Sequence, residues 1–137
     1  MMGIKIKRLH HLTVNAPSGE QEKVRWFYGT ILGLKEIPIP KKLEGVYEII
    51  WYELTDVLLH IEFTKNYIQP REQYENDVIM PGRHFALEVE KLSEIRAKFE
   101  KHQVVIREAV SLTDRDRFYA VDPFGNFIEL IEFKAYT

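Results

Sequence analysis

His84-Phe-Ala-Leu-Glu88 decides how this 137-residue chain is read, because it repeats in kind what stands earlier at His11-Leu-Thr-Val-Asn15. In a strand, residues two apart share a face. Leu12 and Val14 therefore lie on one side, and His11, Thr13 and Asn15 on the other. The first strand is read over Ile4–Asn15. Each stretch then leads into a helical pattern. In the first half, Ser18 stands where a cap belongs before a helix over 20–32, whose Val24, Phe27, Tyr28 and Ile31 recur at helical spacing, and Gly33 suits its C-terminus. In the second half, Leu92–His102 reads as an amphipathic helix.

Working outward, Leu34–Ile37, Tyr47–Leu54 and Val57–Phe63 read as strands, the last two joined by a tight turn at Thr55-Asp56. Val104–Ala109, Arg117–Val121 and Phe127–Phe133 follow the second helix, with Asp122-Pro-Phe-Gly-Asn126 as the turn between the last pair. The order strand, helix, strand, strand, strand thus occurs twice, which an internal duplication explains. The expected fold is α+β: two tandem βαβββ modules, over about residues 4–64 and 83–134 of a single domain spanning 1–137. Their sheets would curl into a mixed β-sheet cup with the helices outside. The connection at 65–82 is polar, contains Pro70 and Pro81, and is longer than most; it reads as a linker or a lid.

Strand parity also sorts the chemistry. Leu12 and Val14, Leu59 and Ile61, Phe85 and Leu87, and Ile128 and Leu130 form four apolar pairs suited to pack under the helices. His11, His60, His84 and Glu129 all fall on the opposite face, at matching places in the two repeats. A lone histidine on a strand is more often a hydrogen-bonded structural residue than a ligand. Agreement among four such residues points instead to one divalent metal ion in the mouth of the cup. Three imidazoles and a carboxylate suit Zn²⁺, Ni²⁺, Fe²⁺ or Mn²⁺. Glu129, the one carboxylate of the set, is the candidate catalytic base, with Arg117 and Tyr119 as polar neighbours. His10 has the parity of Leu12 and is matched by Arg83, so a supporting role is expected for it. Trp26 is expected in the core; Trp51 and Tyr52 suit core, interface or substrate wall.

Composition narrows the partners. With 45% hydrophobic and 29% charged residues and a formal charge of -2, the chain is ordinary for a globular protein and has no basic footprint for nucleic acid or anionic membrane. It contains no cysteine, so thiolate ligands, thiol nucleophiles and disulfides are excluded. The basic N-terminus leads into no apolar run approaching the ~18 residues of a membrane span. Cytoplasmic residence, a small-molecule substrate and a homodimer are the expectations.

The segments Leu-His-His-Leu-Thr-Val-Asn-Ala at 9–16, Trp-Phe-Tyr-Gly-Thr-Ile-Leu-Gly-Leu at 26–34, Leu-Leu-His-Ile-Glu at 58–62, and Arg-His-Phe-Ala-Leu-Glu-Val at 83–89 carry a resemblance. So does Arg-Phe-Tyr-Ala-Val-Asp-Pro-Phe-Gly-Asn-Phe-Ile-Glu-Leu at 117–130, the most specific of them. Over nearly its whole length the chain resembles the glyoxalase, bleomycin-resistance and extradiol-dioxygenase proteins of the vicinal oxygen chelate superfamily. The resemblance implies metal ligands from the first and last strands of each module, again His11, His60, His84 and Glu129. It implies a metal-dependent enzyme of lyase or isomerase type that binds a small substrate through adjacent oxygens. The alternatives it implies are an extradiol-type dioxygenase or a non-catalytic antibiotic-binding resistance protein. Bacterial glyoxalase I is similar but carries Glu where this chain has His60, which sets the chain apart from that enzyme.

Overall fold

Strand β1 (His11–Pro17) is followed by a short helix α1 (Gln21–Val24), a π-helical turn (Arg25–Ile31), β2 (Glu36–Ile37), a 3₁₀ turn (Lys41–Leu43), β3 (Ile49–Leu54) and β4 (Val57–Thr64). The structure, a computed structural model, describes residues 3–135. Met1 and Met2 of the basic N-terminus, and the last two positions of the expected domain, lie outside the described residues. The chain divides into two compact units, Met1–Tyr67 and Ile68–Thr137. In the first, the sheet order is β1-β4-β3-β2, with β1 parallel to β4 and the other pairs antiparallel.

The second unit opens with a hairpin, β5 (Gln73–Glu75) and β6 (Val78–Met80), and continues with β7 (His84–Glu88), α2 (Leu92–Lys101), β8 (Val105–Glu108), β9 (Arg115–Val121) and β10 (Phe127–Phe133). Its main sheet runs β7-β10-β9-β8, again with the first strand parallel to the last. The βαβββ order therefore occurs in both units. Each is a mixed α+β arrangement with an open sheet.

The apolar parity separates central from edge strands. Leu59, Ile61, Ile128 and Leu130, on the central strands β4 and β10, are fully buried. Leu12, Val14, Phe85 and Leu87, on the edge strands β1 and β7, are only half-buried. A central strand has neighbours on both sides; an edge strand shares its flank with solvent.

Several local expectations are corrected. The first strand starts at His11, not Ile4. Its partner β4 begins at Val57, and the last ladder contact upstream is Leu58 N–H to the His10 carbonyl at 3.1 Å, so the chain before His10 has run past its partner. Ser18 does not cap the first helix. Its hydroxyl donates to Glu48 at 2.6 Å, and the same carboxylate accepts the Gly19 N–H at 2.7 Å and a bond from the Gln21 side chain. A carboxylate just ahead of β3 thus ties down the helix start. The second unit does the same with Glu132, which accepts the N–H groups of Lys91 and Leu92 at 2.7 and 3.2 Å.

The helix read over 20–32 widens at Arg25, where the Leu32 N–H reaches the Phe27 carbonyl at 2.9 Å, a π-type step. Val24, Phe27, Tyr28 and Ile31 remain on its buried side, and Gly33 ends it at φ +74. Trp26 lies off that stripe and is 38% exposed, not core. The connection at 65–82 holds the β5/β6 hairpin, whose Asn76 and Asp77 take φ 50 and 63, the left-handed pair of a two-residue hairpin turn. Ile79 of β6 packs on Tyr119 and Phe127, and Glu72 pairs with Arg107 at 2.7 Å. At Gly125, φ +93, an added Cβ would stand 2.9 Å from the Gln69 side chain, so the segment also leans on the β9/β10 turn.

Candidate metal centre

His60 stands in β4, opposite Thr13 of β1 on one side and Trp51 of β3 on the other. Its imidazole is sandwiched. The His11 ring stacks on it with centroids 4.1 Å apart and planes 15° apart, and the Trp51 indole stacks on it at 4.2 Å and 1°. His60 is buried, and its Nε2 has no hydrogen-bond partner among the described residues. Leaving a polar atom in that condition costs about 1–3 kcal/mol. Burial, followed by the neighbouring His11 and His10, lowers its pKa from 6.5 to about 4. The ring is therefore neutral near pH 7, the form that ligates metals. His11 is exposed, with its Nδ1 2.9 Å from Nδ1 of His10, one donating to the other. That contact leaves the Nε2 of His11 for another partner.

In the second unit, Glu129 stands in β10 opposite Ala86 of β7 and Tyr119 of β9. It is buried. One carboxylate oxygen is 3.3 Å from Nε2 of His84, and the other is 3.7 Å from Nη1 of Arg117. The His84 Nδ1–H donates to the Gly82 carbonyl at 2.9 Å. A backbone acceptor on one ring nitrogen orients the other, as for histidines that bind metals. Arg117 is held in turn, its Nε and Nη2 donating to the Val110 carbonyl at 3.2 and 2.9 Å. The Tyr119 phenol lies edge-on to His84 at 5.6 Å. Its pKa is raised above 10.0, first by burial and then by the charge of Glu129, with Arg117 opposing.

The spacing of His84 and Glu129 fits a divalent ion. Two ligands about 2.1 Å from one ion, at about 90–110° to each other, lie about 3.0–3.4 Å apart; His84 and Glu129 are 3.3 Å apart. The Nε2 of His60 is buried without a hydrogen-bond partner among the described residues, and the donor set is wholly nitrogen and oxygen. The structure forms two pairs, His11 with His60 and His84 with Glu129, each inside its own unit. No group of three or more His, Asp or Glu side chains that could hold a metal ion is found among the described residues. A cleft of about 460 Å³ in the second unit is lined partly by Arg96, Arg115 and Arg117. Each of those arginines is already engaged, with Glu108, Asp114 and the Val110 carbonyl respectively.

Trp51 is the neighbour that the sequence left among several roles, although a signal existed. In a two-residue hairpin, residues equidistant from the turn are paired, and Trp51 and His60 are equidistant from Thr55-Asp56. The same counting across the Asp122–Asn126 turn pairs Tyr119 with Glu129.

No family model and no curated protein matches the chain. Among solved structures, a glyoxalase family protein from Bacillus anthracis is 31% identical, with 97% of this chain and 100% of that chain covered and a TM-score of 0.81. A glyoxalase/dioxygenase from Nostoc punctiforme is 18% identical, covers 98% and 99% of the two chains, and has a TM-score of 0.77. A glyoxalase/bleomycin resistance protein/dioxygenase from Alicyclobacillus acidocaldarius is 16% identical, covers 94% and 93%, and has a TM-score of 0.65. The latter two show a shared fold.

Proposed function

The chain belongs to the glyoxalase family of the vicinal oxygen chelate superfamily, and from that premise we propose that it is a metal-dependent enzyme acting on a small substrate with two adjacent oxygens. The ligands are His11, His60, His84 and Glu129, two from each unit, with the units working as one domain. The observation that carries this reading is the His84–Glu129 pair, a nitrogen and an oxygen donor 3.3 Å apart, with its imidazole oriented by Gly82. The bound ion, Zn²⁺, Ni²⁺, Fe²⁺ or Mn²⁺, supplies Lewis acidity to the two substrate oxygens.

The protein's own groups do the rest. Glu129 takes a proton from the carbon beside those oxygens in a lyase or isomerase reaction. Arg117, anchored on the Val110 carbonyl, steadies the carboxylate from its far oxygen. Burial of Glu129 keeps bulk water from competing for the proton. His60 in place of a second carboxylate leaves Glu129 as the one base among the ligands, so a reaction that needs a carboxylate on each side of the substrate is disfavoured. A homodimer is part of the proposal, the site being completed within one chain or across two. Among the described residues, no helix is long and apolar enough to cross a membrane.

The test is elemental analysis of protein purified without chelators or a metal-affinity tag, then reconstituted, for wild type and for His11→Ala, His60→Ala, His84→Ala and Glu129→Ala. One ion per chain in wild type, reduced in every variant, is expected; wild type without stoichiometric metal would sink the proposal. Methylglyoxal with glutathione or bacillithiol, catechols with oxygen uptake, and fosfomycin then sort the reaction classes. Oxygen consumption with a catechol would replace the lyase reading by a dioxygenase.

A further inference from the structure

The aromatic sandwich around His60 contains a residue with no assigned role. Trp51 lies parallel to the His60 imidazole within 1°, with centroids 4.2 Å apart, and His11 covers the opposite face. An imidazole gripped on both faces can neither tip nor flip without breaking a stack, so only its edge is offered to a partner. That edge carries Nε2, which is buried and without a hydrogen bond. Ligating histidines are ordinarily oriented by a hydrogen bond to the second ring nitrogen, as Gly82 does for His84. For His60 the ring faces provide the restraint. Trp51 is also placed by the backbone, as the Cα partner of His60 across the β3/β4 hairpin.

We propose that Trp51 is the positioning residue of His60, fixing the plane of the imidazole through its stacked indole when Nε2 takes a divalent ion. The inference rests on the metal reading above. It assigns Trp51 no contact with the substrate. The indole Nε1 is likewise buried without a partner, and a Phe at this position would keep the stacked ring while removing that nitrogen.

The test is Ni²⁺ binding to the purified full chain by calorimetry, comparing wild type with Trp51→Phe and Trp51→Leu and checking the fold of each apo protein by thermal melting. Wild-type affinity within about threefold for Trp51→Phe is expected, and affinity about 10–100-fold weaker for Trp51→Leu, the range typical when the support of a ligating histidine is lost. In a Trp26→Phe background, where Trp51 is the remaining tryptophan, Ni²⁺ should quench the indole emission, and His60→Ala should abolish the quenching. Equal affinity for Trp51→Leu and wild type overturns the inference and leaves the metal reading standing. Equal weakening in Trp51→Phe and Trp51→Leu overturns it too, since the ring stack would not be the cause. If Ni²⁺ fails to bind wild type, the metal reading falls and takes this inference with it.

Discussion

The two half-sites share one strand register and hold their donors by different physics. In the first unit His60 lies between Thr13 and Trp51, and in the second Glu129 lies between Ala86 and Tyr119, at the matching place. The His60 ring has an aromatic ring on each face and, among the described residues, no ion pair and no hydrogen bond to its Nε2. The Glu129 carboxylate has polar neighbours instead: an imidazole at 3.3 Å, a guanidinium at 3.7 Å and a phenol on the neighbouring strand. The duplicated backbone sets where a donor stands, while the cross-strand neighbour sets how it is held. The His60 imidazole is held by ring stacking, and the Glu129 carboxylate has Arg117 beside its far oxygen.

The largest expected effect tests the shared frame. Leu59→Ala and Ile128→Ala remove fully buried side chains from the central strands β4 and β10, and each should cost about 3 kcal/mol in denaturant unfolding. Leu12→Ala, on a half-buried edge, should cost clearly less. A marked inequality between Leu59→Ala and Ile128→Ala would break the equivalence of the two sheets.

Next is the proposal that the four donors share one ion. Ni²⁺ at about 100 times its dissociation constant should raise wild-type stability by about 2.7 kcal/mol, read as a rise in Tm. Both His60→Ala and Glu129→Gln should remove most of that rise. If only one of them does, the ion belongs to one half and the comparison must be redrawn.

A smaller effect probes the charge balance of the second half alone. Because Glu129 raises the Tyr119 pKa and Arg117 lowers it, Glu129→Gln should bring the phenol down toward its ordinary value and Arg117→Ala should push it further up. Tyrosine ring NMR through an alkaline titration reads both. Movement in the same direction in the two variants would remove Arg117 and Glu129 as opposing neighbours.

The smallest concerns the two helix starts. Glu48→Gln and Glu132→Gln should each cost about 1 kcal/mol, the usual worth of a cap. For Glu48 there is also a pH signature. Bonds from Ser18, Gly19 and Gln21 hold its pKa below 4.5. Its contribution is therefore complete above the unfolded value of 4.5 and is lost as the pH falls through the lower folded value. Acid melts of wild type and Glu48→Gln should converge below that range; a constant gap at every pH would refute the assignment.

Much of this was legible before any coordinates. The element order, the Thr55-Asp56 and Asp122–Asn126 turns, the buried face of the first helix and the placing of His60 and Glu129 opposite the apolar pairs all follow from local periodicity. Other features were not. Ser18 looked like a helix cap because Ser in that position usually is one, but Glu48, a strand away, competed for its hydroxyl and won. Trp26 looked like core from its place on the helix, yet it lies off the stripe made by Val24, Phe27 and Ile31. The β5/β6 hairpin was hidden by a polar stretch with few apolar residues; Asn76-Asp77 was its one turn signal.

The sequence by itself determined the duplication, the strand parity and the chemical kind of each donor, since alternation and turn residues act over a few positions. Tertiary structure alone decided the surroundings of those donors: the stack of His11 and Trp51 on His60, the reach of His84 and Arg117 to Glu129, and the seat of Ile79 on Tyr119 and Phe127. Parity states which face a residue takes. How closely two rings or charges approach depends on strand register and rotamers across residues far apart in the chain, and those are set only when the sheets form.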